Sequence, residues 1–130
     1  MKMMEVGVTA AQGFVAGGIH CGVRKNKSKP DLAMIYSEKP CTAAAVYTRN
    51  LVKGAPILVT QKNLADGTAK AVICNSGNAN TCNADGVEKA EAMCQLTAKA
   101  LGIAPQDVVV ASTGVIGQVL PLEPIQEGIP

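Results

Sequence analysis

Two short polar segments stand out because each follows an apolar run. The first, Ser112-Thr113-Gly114-Val115-Ile116-Gly117, comes directly after Asp107–Ala111, DVVVA. A buried strand that ends in Ser-Thr-Gly presents hydroxyls and free main-chain N–H groups at a sheet edge, and glycine lets a ligand approach the backbone closely. One hydroxyl and one N–H converging on a point can stabilise a developing oxyanion. An ordinary strand-to-helix turn has the same composition and, from these residues alone, is the commoner arrangement. The second segment, Asn75-Ser76-Gly77-Asn78-Ala79-Asn80, follows the apolar strand KAVICN. Its three asparagines and serine could satisfy nearby backbone groups through side-chain hydrogen bonds. The same residues could instead form one wall of a polar substrate pocket.

Other candidates are weaker. His20 is the lone histidine and sits beside Cys21. Adjacent residues on a strand point to opposite faces, so a Cys/His nucleophile pair is not expected there. The five cysteines, Cys21, Cys41, Cys74, Cys82 and Cys94, contain no CxxC, and the seven residues between Cys74 and Cys82 fit no common zinc pattern. Reduced, mostly buried thiols in a cytoplasmic protein are the simplest account, with no metal and no cofactor. Arg24, Lys25, Lys27 and Lys29 form the one basic cluster. It is either a solvated loop or a holder for an anionic substrate or phosphate. The glycine-rich start matches neither GxxxxGK[ST] nor GxGxxG.

The elements that must position these segments alternate in type. Strand-like runs are expected around Phe14–Ala16 and Ile19–Val23. Asp31–Ser37 and Thr42–Thr48 read as an antiparallel pair joined by a Glu38-Lys39-Pro40 turn. Pro56–Thr60 reads as a further strand, Gln61–Asp66 as a short helical turn ending near Gly67, and Lys70–Asn75 as a buried strand. A helix follows, with Asp85 as N-cap and Glu88 completing a capping-box-like pair. Val87, Ala90, Cys94, Thr97 and Leu101 share its inner face. Gly102 suits the position after its end, and Pro105 prevents continuation. Pro121–Gly128 has the character of a new helix. Strands followed by strand–helix–strand predict a mixed α/β layered domain.

Bulk properties bound the rest. The chain has 130 residues, 48% hydrophobic but only 2% aromatic, so its core must be built from Ala, Val, Ile, Leu and Met. That length suggests one domain or part of one. A net charge of +2, from 12 cations and 10 anions, gives no argument for nucleic acid as a partner. The N-terminal MKMMEVGVTAAQGF carries Glu5 and does not read as a signal peptide. No apolar run is long enough to predict a membrane span.

Taken together, the segments resemble the bifunctional ornithine acetyltransferase / N-acetylglutamate synthase family. The matching pieces run in family order: the opening from Gly13 to Gly18, DLAMIYSEKP-CTAAAVYTRN, VKGAPILVT, NSGNAN at 75–80, ASTGVIG at 111–117 and PLEPIQEGIP. The resemblance covers nearly the whole chain, and NSGNAN followed by ASTGVIG is its most specific part. It implies an αββα sandwich, similar in layering to N-terminal-nucleophile hydrolases but differently connected. It implies transfer of an acetyl group from N-acetylornithine to glutamate, with some members also using acetyl-CoA. The family precursor cuts itself into α and β chains, and the new N-terminal threonine of β is the nucleophile, its own amino group serving as base. An α2β2 heterotetramer is the implied assembly. The family's oxyanion hole maps onto the Thr113 hydroxyl and the Gly114 N–H.

The family's cleavage motif, threonines followed by aspartate, is absent: none of the eight threonines here has that setting. Residues 1–130 therefore correspond to the N-terminal part of the α-chain, and alone they are expected to be inactive. Two alternatives stay open. One is a non-catalytic binding or assembly fragment. The other is a related autoprocessing aminopeptidase-like hydrolase, whose serine nucleophile and different loops fit these motifs less well.

Overall fold

The structure is a computed structural model that describes residues 7–129. The first six residues, on which the signal-peptide reading partly rests, and Pro130 lie outside the described residues. Four strands and three α-helices run in the order β1 (Phe14–Ile19), β2 (Leu32–Thr42), α1 (Ala55–Asn63), β3 (Thr68–Asn78), α2 (Gly86–Leu101), β4 (Val108–Val115) and α3 (Glu123–Gly128). The strands form one sheet in the order β1-β2-β3-β4. β1 with β2 and β2 with β3 are antiparallel, whereas β3 and β4 are parallel. A parallel pair needs a crossover connection, and α2 supplies it.

Strand register divides the sheet into two unlike faces. Leu32, Asn75 and Ser112 lie side by side on one face, as do Met34, Ile73 and Val110, and Tyr36, Ala71 and Val108. This face meets α1 and α2, and the buried core is drawn from it: Leu32, Ala71, Ile73, Val108 and Val110 pack with Val59, Ala90, Met93, Cys94, Ala98, Leu120 and Ile125. The opposite face carries Ala33, Ile35, Val72, Cys74, Ser76, Val109, Ala111 and Thr113. None of these belongs to the core cluster. The mixed α/β layering is as expected, and the described residues build one helical layer and one sheet of it.

Several local expectations are corrected. Residues 42–48 are not a second strand: β2 passes straight through Glu38-Lys39-Pro40 to Thr42, and residues 43–50 have no regular structure. A register shift between Tyr36 and Cys41 absorbs the proline, which cannot donate to a ladder and is tolerated at such a bulge. β2 pairs instead with β1 and β3. The strand expected over Ile19–Val23 ends at Ile19. Pro56–Thr60 is helical. Short β-branched runs are ambiguous in period, and here Ala55, Pro56, Val59, Thr60 and Asn63 recur at helical spacing on the buried side, with proline in the first turn. The expected turn after it is present as a 3-10 turn, Leu64–Asp66, closed by Gly67 at φ 75°.

In α2, Asp85 precedes the helix but makes no side-chain cap bond. Its carboxylate lies 3.9 Å from Lys89 Nζ instead. Val87 is 41% exposed; the buried face is Ala90, Met93, Cys94, Thr97 and Ala98. Gly102 ends the helix in the left-handed region at φ 65°, as its position suggested. Both polar segments are strand rather than loop for most of their length. β3 continues to Asn78, and β4 continues through Ser112-Thr113-Gly114 to Val115.

Candidate oxyanion site at the paired ends of β3 and β4

The parallel pairing brings the two polar segments side by side: Asn75 opposes Ser112, Ser76 opposes Thr113, and Gly77 opposes Gly114. The glycine pair is required by geometry. Gly77 and Gly114 hold φ of 136° and 130°, where a side chain is strained. A Cβ on Gly114 would also come 2.6 Å from Asn78 N and collide with the Gly77 carbonyl carbon.

Hydrogen bonds at both ends of β4 fix which way its groups point. Val110 N–H donates to Thr60 Oγ1 at 3.2 Å, and Thr60 Oγ1 donates back to the Val110 carbonyl at 2.9 Å. Asn63 Nδ2 donates to the Val108 carbonyl at 2.9 Å. These groups face α1, away from β3. At the other end the Val115 carbonyl accepts from Ala79 N–H at 2.8 Å, so it faces β3. Residues along a strand alternate in direction. Gly114, in phase with Val108 and Val110, turns its N–H outward from the sheet edge. Thr113, out of phase with Val110, places its side chain on the uncovered face beside Ser76. Both Thr113 and Gly114 are exposed. A hydroxyl and an N–H are thus offered at one corner, where β4 leaves the sheet.

The asparagines build the scaffold beneath this corner. Asn75 Nδ2 donates to the Asn78 carbonyl at 2.9 Å, and Asn78 Nδ2 donates to the carbonyls of Gln118 at 2.9 Å and Val119 at 3.2 Å. Asn78 Oδ1 accepts from Asn80 N–H at 2.8 Å, and Asn80 Nδ2 donates to the Gly86 carbonyl at 2.8 Å. These three side chains are buried, so their amides serve the chain's own backbone. They tie the loop after β4 and the start of α2 to β3. Asn75 Oδ1, Asn80 Oδ1 and Ser112 Oγ remain buried with no partner among the described residues. Of the two readings of NSGNAN, the asparagines follow the structural one. Ser76 is the exception: its hydroxyl accepts a hydrogen bond from Arg24 Nη2.

No local pattern marks Asp31 as the organiser of the 20–24 turn. Its carboxylate accepts N–H groups from Cys21 at 2.7 Å, Arg24 at 2.8 Å and Gly22 at 3.2 Å, and His20 Nδ1 lies 3.2 Å away. Burial alone would raise its pKa, but the N–H bonds from Arg24, Cys21 and Gly22 outweigh that and hold the carboxyl below its ordinary value. The basic cluster divides: Lys25, Lys27 and Lys29 are exposed, whereas Arg24 is drawn in to Ser76. His20 is engaged with Asp31 and the Lys29 carbonyl. Burial pushes the Cys21 thiol up in pKa, with smaller upward contributions from Asp31, which is the reverse of an activated thiol. Burial likewise takes the Cys94 thiol to about 11. Among the described residues, no three His, Cys, Asp or Glu side chains gather to hold a metal ion.

The chain and its fold are similar to known proteins. The ArgJ bifunctional protein of Symbiobacterium thermophilum is 47% identical over 131 residues, covering 99% of this chain and 33% of that relative. Its counterpart in Gloeobacter violaceus is 52% identical over 127 residues, covering 96% of this chain and 31% of that protein. The chain thus spans about a third of the curated relatives it matches. The crystal structure of the arginine biosynthesis bifunctional protein ArgJ from Bacillus halodurans superposes with a TM-score of 0.89 at 45% identity, over 94% of this chain and 64% of that one. Ornithine acetyltransferase from Mycobacterium tuberculosis, solved with ornithine, gives 0.88 at 40% identity, over 94% and 66%. The model of the ArgJ family matches residues 15–130, and the chain belongs to that family.

Proposed function

We propose that this chain is the front part of the α-chain of an acetyltransferase that moves an acetyl group from N-acetylornithine to glutamate in arginine biosynthesis. The observation that carries the reading is the phase of β4, which turns the Gly114 N–H outward at the corner where the Thr113 hydroxyl stands. The names of the relatives, and the ornithine bound by the mycobacterial neighbour, support the same chemistry.

In this reading a threonine outside the chain attacks the acetyl carbonyl of N-acetylornithine. Its hydroxyl proton passes to its own α-amino group. The carbonyl oxygen becomes an oxyanion, held by the Thr113 O–H and the Gly114 N–H. Collapse breaks the C–N bond and ornithine leaves with the proton. The amine of glutamate then attacks the acetyl-threonine, the same donors hold the second oxyanion, and the threonine departs with its proton restored. The uncovered face of the sheet, with Val72, Cys74 and Val109 on it, is where the second sheet of an αββα sandwich would pack. The partner is the β-chain of the same precursor, in an α2β2 assembly.

In a protein of the family's full length, Thr113→Ala should lower the rate of acetyl transfer by about 10²–10³-fold, the usual loss for one oxyanion donor. A rate within about threefold of the parent would remove Thr113 from this role. The isolated chain should transfer no acetyl group from N-acetylornithine. Measurable turnover by the chain alone would show that the nucleophile lies within it.

A further inference from the structure

We infer that Ser76 and Arg24 are positioning residues that aim the Thr113 hydroxyl. This rests on the oxyanion reading above and adds to it two residues that do not touch substrate. A serine hydroxyl has one proton to donate and lone pairs to accept with. The Arg24 guanidinium occupies one lone pair of Ser76 Oγ. No acceptor for the Ser76 proton appears among the side-chain hydrogen bonds of the described residues, which leaves that proton to be placed. Its neighbour across the ladder, on the same uncovered face, is Thr113. The two hydroxyls are not hydrogen-bonded to each other as they stand, but paired strands lie about 4.8 Å apart, so a turn about χ1 can bring facing hydroxyls to hydrogen-bond distance.

The chain then runs from Arg24 N–H to Ser76 Oγ, from Ser76 O–H to Thr113 Oγ1, and from Thr113 O–H to the substrate oxygen. Each link fixes the next rotor. With Ser76 donating to Thr113 Oγ1, the threonine's own proton is directed away from the sheet, where an oxyanion would form. A cation at the head of such a chain polarises every bond along it. Arg24 is suited to that place. No carboxylate pairs with it among the described residues. Its main chain is pinned by the Asp31 carboxylate. It also lies against Gly77, where a Cβ would come within 3.3 Å of Arg24 N and Cβ. Gly77 in turn abuts Gly114, so one stack of close backbone contacts runs from the arginine to the N–H donor.

The test uses the full-length enzyme and six variants of it. Ser76→Ala and Arg24→Gln should each lower kcat roughly tenfold, less than the loss of the donor itself, with KM changed less than about twofold. Arg24→Lys and Ser76→Thr should restore most of the rate, because each keeps the donor its position needs. Ser76→Ala placed on Thr113→Ala should cause no further loss, since the rotor it aims is gone. Wild-type kcat in Ser76→Ala and Arg24→Gln, alongside a slow Thr113→Ala, would overturn the inference and leave the oxyanion reading standing. So would losses that multiply in the double variant. A raised KM with unchanged kcat in Arg24→Gln would also overturn it, making Arg24 a holder of substrate carboxylate. An unaffected Thr113→Ala would remove the oxyanion reading itself, and this inference with it.

Discussion

The two faces of the sheet come from the same strands and differ in almost every other respect. On the helix-covered face, Ala71, Ile73, Val108 and Val110 are sealed against Ala90, Met93, Cys94 and Ala98. On the other, Ile35, Val72, Cys74 and Val109 are equally apolar but remain half-buried. Alternation of polar and apolar residues normally marks a sheet with one wet side. Here β3 and β4 are apolar on both sides, the pattern of strands covered on both faces. Polar residues stand at the two ends of the uncovered face, Ser76 and Thr113 at one and Ser37 and Lys70 at the other. In the proposed reading, apolar surface there serves packing, and the hydroxyls at the Thr113 end serve chemistry. The irregular segment before α1 extends the theme, with Val46 and Leu51 98% and 97% exposed.

The sharpest test of that contrast is a pair of substitutions one residue apart. Ile73→Ala should cost about 2–5 kcal/mol whether the chain is alone or part of a full-length protein. Val72→Ala should cost under about 1 kcal/mol in the isolated chain and rise toward about 2 kcal/mol in the full-length protein, where the face is covered. Urea unfolding of the four samples reads both. Equal costs for Val72→Ala in the two contexts would mean that nothing packs on that face.

A smaller effect is expected where the faces meet. Gly114→Ala forces a side chain into a left-handed backbone against Gly77 and Asn78, and strain of this kind costs about 1–3 kcal/mol. Thermal unfolding measures it, and an unchanged Tm would show that the β3–β4 approach relaxes at no cost.

The smallest effect concerns the turn that presents Arg24. Asp31 has its pKa depressed in the folded state, so the unfolded chain binds the proton more readily. Its contribution to stability is complete above the unfolded value of about 3.9 and is lost as pH falls through the lower folded value. Asp31→Asn should therefore flatten this part of the acid limb when urea midpoints are compared between pH 2 and 6. Parallel curves for the two proteins would remove Asp31 from that linkage.

Legibility in the sequence followed the range of the interactions involved. The helix over 86–101 and the strand cores KAVICN and DVVVA were readable because their signals are local periodicity and turn chemistry. Pro56–Thr60 is helical rather than strand because a five-residue run with four apolar residues carries no period, and the packing of Val59, Thr60 and Asn63 on β4 decides the matter. The hairpin expected through Glu38-Lys39-Pro40 failed because pairing with β3 continues past a bulge, which no local rule reveals. The anchoring role of Asp31, and the separation of Arg24 from the lysines of its cluster, were not legible because the partners lie 7 to 52 residues away.

What the sequence determined by itself was the chemistry available: a hydroxyl and a glycine after one buried strand, and an amide-rich segment after another. The family resemblance followed from those same residues. Only the tertiary structure decided that the two segments lie in register, that the Gly114 N–H turns outward, and that the asparagines support while Ser76 faces the site. The physical reason is that strand pairing is non-local. Which groups of a strand are consumed and which are left free depends on the phase of its neighbours, and α1 and β3 set that phase for β4.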